Sequence, residues 1–105
     1  MVFAVQSNGG LAQLLALGRE HERLRIGRTD IGLPSDPYTW PSVYAHDKHA
    51  LVTSMNQVVS VVVDEAWNPS VERTTVLPDF VNGVDLNASR ALLSLGWAGA
   101  AWVEM

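Results

Sequence analysis

The sequence predicts a mostly β domain, a small six-stranded barrel with one or two short helices. Three observations predict it. The run Val58-Val59-Ser60-Val61-Val62-Val63 is β-branched and apolar at both parities, as a strand covered on both faces is. Turn chemistry at Ser7-Asn8-Gly9-Gly10, Asn68-Pro69-Ser70 and Asn82-Gly83 separates short apolar runs. The closing stretch Ala98-Gly99-Ala100-Ala101 is small enough for close strand packing.

Residues 2–5 form a short apolar run, read as an opening strand, and Ser7-Asn8-Gly9-Gly10 is turn chemistry. Leu11, Leu14, Leu15, Leu17, His21 and Leu24 then fit one side of a helix, with Gly18 as a place where it could stop. Residues 27–42 hold three prolines and two glycines, which reads as a long surface loop. Residues 50–53 read as a strand, Met55-Asn56-Gln57 as its turn, and residues 58–63 as the central strand. Asn68-Pro69-Ser70 breaks the chain, and Thr74-Thr75-Val76-Leu77 is a further strand closed by Pro78. Asn82-Gly83 is a turn signal. Val84 and Leu86 flank Asp85 on one more short strand. Asn87 is placed to cap a helix over residues 88–95, with Gly96 just past its end. Residues 98–103 form the last strand. Trp97 and Trp102 read as core. No internal repeat is visible.

A chain of 105 residues fits a single domain over residues 1–105. With 48% hydrophobic and 17% charged residues it is not a disordered chain. A net charge of -4 gives no pull toward nucleic acid or an anionic membrane. The charge is uneven. Arg19, Arg23, Arg25 and Arg28 share one segment, whereas acids dominate the C-terminal part. Internal pairing or head-to-tail association of copies would each satisfy that split. Without cysteine, disulfides and thiol chemistry are excluded, and zinc would need His and carboxylate ligands alone. No metal or cofactor is expected. No signal peptide is visible, so the chain reads as made in the cytoplasm, with a virion or the cell envelope as its final place left open.

Asp64 and Asp85, twenty-one residues apart, are the candidate catalytic pair. A carboxyl group at the end of an apolar strand can be desolvated into a proton donor for glycosidic cleavage. Alternatively, Asp64 is an exposed strand-end residue and Asp85 a cap. Tyr38, Trp40, Tyr44 and Trp67 lie outside the strand runs, where aromatic faces either stack on sugar rings or plug the ends of a barrel. In His46-Asp47-Lys48-His49 a helix placing both His on one face is argued against by Pro41 and the following strand. His46 is retained as a polar group for a cleft.

Residues 51–103 resemble the double-psi β-barrel domains of the rare lipoprotein A and expansin type. The resemblance rests on Val61-Val62-Val63-Asp64, then Val84-Asp85-Leu86-Asn87, then Leu95-Gly96, then Gly99-Ala100-Ala101-Trp102-Val103, in that order. Gly27-Arg28-Thr29 and Ala45-His46 add fainter upstream matches. It implies that Asp64 stands for the family's catalytic or sugar-contacting Asp and Asp85 for its second acid. Glu65-Ala66-Trp67 replaces the family's Arg-Gly-Pro. Two functional expectations follow. One is a binding or structural module that contacts, or cleaves, peptidoglycan glycan strands. The other is a non-enzymatic assembly component of a virion or secretion apparatus, with protein partners or further copies of itself.

Overall fold

The chain is described by a computed structural model covering residues 1–20, 22–34, 41–87 and 90–104. Those residues form ten strands and no helix. β1 (Val2–Asn8), β2 (Leu11–Glu20) and β3 (Arg23–Pro34) make a first antiparallel meander. β4 (Ser42–His46), β5 (His49–Ser54), β6 (Gln57–Val63) and β7 (Pro69–Val76) make a second. β8 (Val81–Leu86), β9 (Arg90–Leu95) and β10 (Ala100–Glu104) make a third.

Local chemistry explains the hairpins. Asn8 pairs with Leu11 around Gly9-Gly10, both in the left-handed region. His46 pairs with His49 around Asp47-Lys48, and Ser54 with Gln57 around Met55-Asn56. Two-residue loops of this kind follow the right-handed strand twist when φ turns positive, as it does at Asp47 and Met55. Pro69 opens β7, a strand position that asks no N–H of it.

The three sheets stack face to face, with the second in the middle. Its odd-numbered side chains on β6, Val59 and Val61, join Val52 and Ala50 against Leu14, Ala12, Ile31 and Leu33 of the first sheet. Its even-numbered Val58 joins Leu51 and Leu77 against Leu93, Leu95, Ala91 and Val103 of the third. Val58, Val59 and Val61 are all at most 1% exposed, so β6 is covered on both faces, as its unbroken apolar run predicts. On β7, by contrast, residues 70–74 are exposed and include Glu72 and Arg73, which suits the open edge of a sheet.

Several expectations are corrected. The mostly β class holds, but the described residues form three small sheets and no closed barrel. The barrel that the family resemblance implies is therefore not formed by them. The stretch read as a helix from Leu11 to Leu24 supplies β2 and the start of β3, with His21 outside the described residues. That read as a helix over residues 88–95 contains β9, and Asn87, instead of capping a helix, accepts the N–H of Arg90 on its Oδ1 at 3.0 Å. Residues 27–34 of the expected loop belong to β3. Asn82-Gly83 lies inside β8, at a register shift rather than at a turn. Trp97 is fully exposed and Trp102 is 61% exposed, so neither is core.

The three sheets are evenly spaced along the chain. The first strands of the sheets begin at Val2, Ser42 and Val81, 40 and 39 residues apart. These first strands also lie side by side, β1 against β4 and β4 against β8. The link from β7 to β8 is only residues 77–80, yet it must cross a four-stranded sheet. Three strand spacings are about 14 Å, within reach of an extended segment of that length. The link does so beneath the β5–β6 turn: Leu77 N–H donates to the Asn56 carbonyl and Val81 N–H to the Met55 carbonyl, each at 2.8 Å. The Asn56 side chain returns a bond to the Leu77 carbonyl at 3.2 Å.

Candidate functional site

Asp64 directly follows β6 and is exposed. Its Oδ1 accepts the N–H groups of Ala66 (2.8 Å) and Asn68 (2.9 Å). Its own N–H donates to the Asn68 carbonyl and its carbonyl accepts the Trp67 N–H, both at 3.1 Å. The carboxylate thus holds its own turn closed, as Asp does in an Asx turn. Trp67 sits in that turn with φ of 65°, an unusual backbone for a bulky residue. The turn turns the indole onto the first sheet. A Cβ at Gly18 on β2 would overlap the Trp67 ring, and one at Gly27 on β3 would overlap the Trp67 carbonyl oxygen and Pro69. The glycines are the cavity into which this turn docks.

Asp85 belongs to another sheet and another surface. Val84 and Leu86 face the core between the second and third sheets, so alternation along β8 turns Asp85 to the outer face of the third. There it stands opposite Leu92 and lines a shallow depression of about 260 Å³ with Gly83, Ser94 and Ala100. The same face carries Arg90, whose Nε is 3.1 Å from Glu104 Oε1 and whose guanidinium lies 6.0 Å from the Trp102 ring centre.

Of the other candidates, Tyr44 packs half-buried against the core between the second and third sheets. His46 flanks the β4–β5 turn, with Nδ1 3.4 Å from Asp47 Oδ2. His46 and His49 are a strand pair, and among the described residues no group of three or more His, Asp or Glu could hold a metal ion. Tyr38 and Trp40 lie outside the described residues. Thus the structure joins Asp64 with Trp67 in one turn, and sets Asp85, Tyr44 and His46 on other elements. The arginines divide as well. Gly18 and Gly27 face the second sheet, so alternation turns Arg19 and Arg28 outward, and Arg23 and Arg25 the other way.

Sequence reading passed over Asp79. It follows β7 and ties two loops together: its Oδ1 accepts the Phe80 N–H at 2.7 Å, and its Oδ2 accepts the N–H groups of Trp97 and, at 3.3 Å, Ala98. Gly96 lies so close that a Cβ there would be 2.7 Å from Oδ2. The Phe80 bond, then that of Trp97, holds the carboxyl below its ordinary value of 3.8, against some desolvation, with Ala98 adding to the lowering. A lowered value means that the ionised form is favoured by the fold. The clamp's contribution is therefore complete above the ordinary value and lost as pH falls through the lowered one. Removing it with Asp79→Ala should lower the urea midpoint near neutral pH, and the gap to wild type should close in strong acid. A gap that persists there would mean that the lost stability is not carried by the ionised carboxylate.

No family model matches the chain, and neither a curated protein nor a solved structure matches it. No helix among the described residues is long and apolar enough to cross a membrane.

Proposed function

We infer that the protein is a non-catalytic module that works by offering sheet faces to protein partners. The observation that carries this reading is the apolar row on the outermost face of the first sheet, with a smaller apolar pair on that of the third. On the first sheet Val2, Leu15, Leu17 and Ile26 point away from the core, and Val2 and Ile26 are 64% and 49% exposed. On the third sheet Leu92 and Trp102 point outward as an adjacent pair among Asp85, Arg90, Ser94 and Glu104. Extended apolar faces on a small domain mark interaction surfaces. The acids speak for the same reading. Asp64 is engaged by its own turn, and Asp85 lies on the far face of a different sheet.

A second reading, glycan binding without cleavage, draws on Trp97, which stands wholly in solvent on the β9–β10 turn. Incubation with purified peptidoglycan separates the possibilities. Wild type and Asp64→Asn should both release no soluble muropeptides, and the variant should fold normally, since an amide oxygen can still accept both turn N–H groups. Release by wild type that Asp64→Asn abolishes would overturn the non-catalytic reading. Quenching of tryptophan fluorescence by soluble glycan fragments, lost in Trp97→Ala, would move the assignment to the second reading.

A further inference from the structure

The two outer faces have counterparts inside the molecule. The first sheet meets the second, and the second meets the third, through faces built from the same kinds of strand in the same order, with first strand beside first strand. Stepping once more along that stack would bring a further sheet onto the outer face of the third. The face it would present is the outer face of the first. Repeating units that bury a face only against a neighbour leave such surfaces at both ends. Ends that are capped carry a polar outer face. Here the row Val2, Leu17 and Ile26 runs straight across the first sheet, in register through all three strands.

Charge distinguishes the two faces. The outer face of the first sheet carries Arg19 and Arg28 against one acid, Asp30, whose Oδ1 accepts Gln13 Nε2 at 3.2 Å. The outer face of the third carries Asp85 and Glu104 against one cation, Arg90, which is paired with Glu104. A face with one positive charge in excess thus meets one with a negative charge in excess. Either face laid on its own twin would set like charges together.

We propose that the occupant of both faces is a second copy of this chain, the outer face of the first sheet in each copy lying on the outer face of the third sheet in the other. This extends the module reading above by naming the partner. A head-to-tail contact closes into a ring or runs on as a filament, depending on the rotation per unit. Antiparallel four-stranded sheets packed in rings close at roughly four to eight members. Two copies of these sheets, two of three strands and one of four, supply six, which falls in that range, and would join through two identical contacts.

Sedimentation equilibrium on the full chain tests this. Wild type should pass from monomer to dimer with rising concentration and stop there. Ile26→Glu on the first sheet and Trp102→Glu on the third should each weaken dimerisation by on the order of a hundredfold or more, because each buries an uncompensated charge at both contacts. Both positions are about half exposed or more in the monomer, so each variant should keep the wild-type strand spectrum. Mixed in equal amounts, the two should recover a heterodimer joined by the one contact that is intact on both sides. A monomer at every concentration, a polymer that keeps growing, or a dimer untouched by either variant overturns the proposal. None of these results would make the protein release muropeptides, so failure here is separable from failure of the non-catalytic reading.

Discussion

Val61→Asp is expected to unfold the protein. Val61 lies on β6 of the middle sheet, 1% exposed, within the core shared with the first sheet. A carboxylate there has no partner, and burying it uncompensated costs on the order of 4 kcal/mol or more. Domains of this size are stable by only about 5–15 kcal/mol. Val61→Ala removes packing without adding charge and should cost roughly 2 kcal/mol. The same Asp placed at Val76, on the open edge strand and 67% exposed, should change stability by no more than about 0.5 kcal/mol. Urea denaturation of the three variants checks the ranking. If Val61→Asp unfolds no more easily than Val61→Ala, the middle sheet is not sealed from water by the first.

The middle sheet was also the most legible part of the sequence. Its inner strands β5 and β6 are apolar almost throughout and were read as strands around a Met55-Asn56-Gln57 turn, whereas β4 was not read as a strand and β7 only from Thr74 onward. The outer sheets were misread for a physical reason. In β2 the inward residues Ala12, Leu14 and Ala16 are interleaved with outward Leu15 and Leu17, so both parities are apolar. The period of two disappears, and what remains mimics the i, i+3, i+4 spacing of a helix. β9 does the same with Leu92 among Ala91, Leu93 and Leu95. Apolar residues at both parities over part of a strand erase the period of two, although Gln13 and Arg19 on β2 and Arg90 and Ser94 on β9 keep polar positions on the outer faces.

The even spacing of the three sheets is carried by strand order and leaves no trace in residue identity. The glycine-marked turn of the first sheet becomes Asp47-Lys48 in the second, and the third opens with a register shift at Gly83. Candidate acids were found by position but not by role. Asp64 was recognised as the end of a buried strand, yet nothing local says that its carboxylate closes a turn over Gly18 and Gly27, 46 and 37 residues upstream in sequence. Asp79 was passed over because its partners, the N–H groups of Trp97 and Ala98, belong to a turn eighteen and nineteen residues away.

That turn over the first sheet supplies the second large effect. Gly18 and Gly27 are both needed small, but for different reasons, and the difference can be measured. At Gly18 the added methyl would meet only the far end of the Trp67 indole, a side chain. At Gly27 it would meet the Trp67 carbonyl oxygen and the Pro69 ring, which are fixed by the start of β7 and by the Asp64 turn. Overpacking of this kind costs about 1–3 kcal/mol, and more where backbone must move. Gly27→Ala should therefore be the worse of the two. Trp67→Ala should itself destabilise, by roughly 3 kcal/mol, through loss of the packed indole. In that background Gly18→Ala should cost almost nothing further, because the obstacle has gone, whereas Gly27→Ala should cost nearly as much as before. Urea midpoints for the two double-mutant cycles give the coupling directly. Equal coupling of both glycines to Trp67 would mean that the turn yields as a whole, and that the first and second sheets are held together by their apolar core alone.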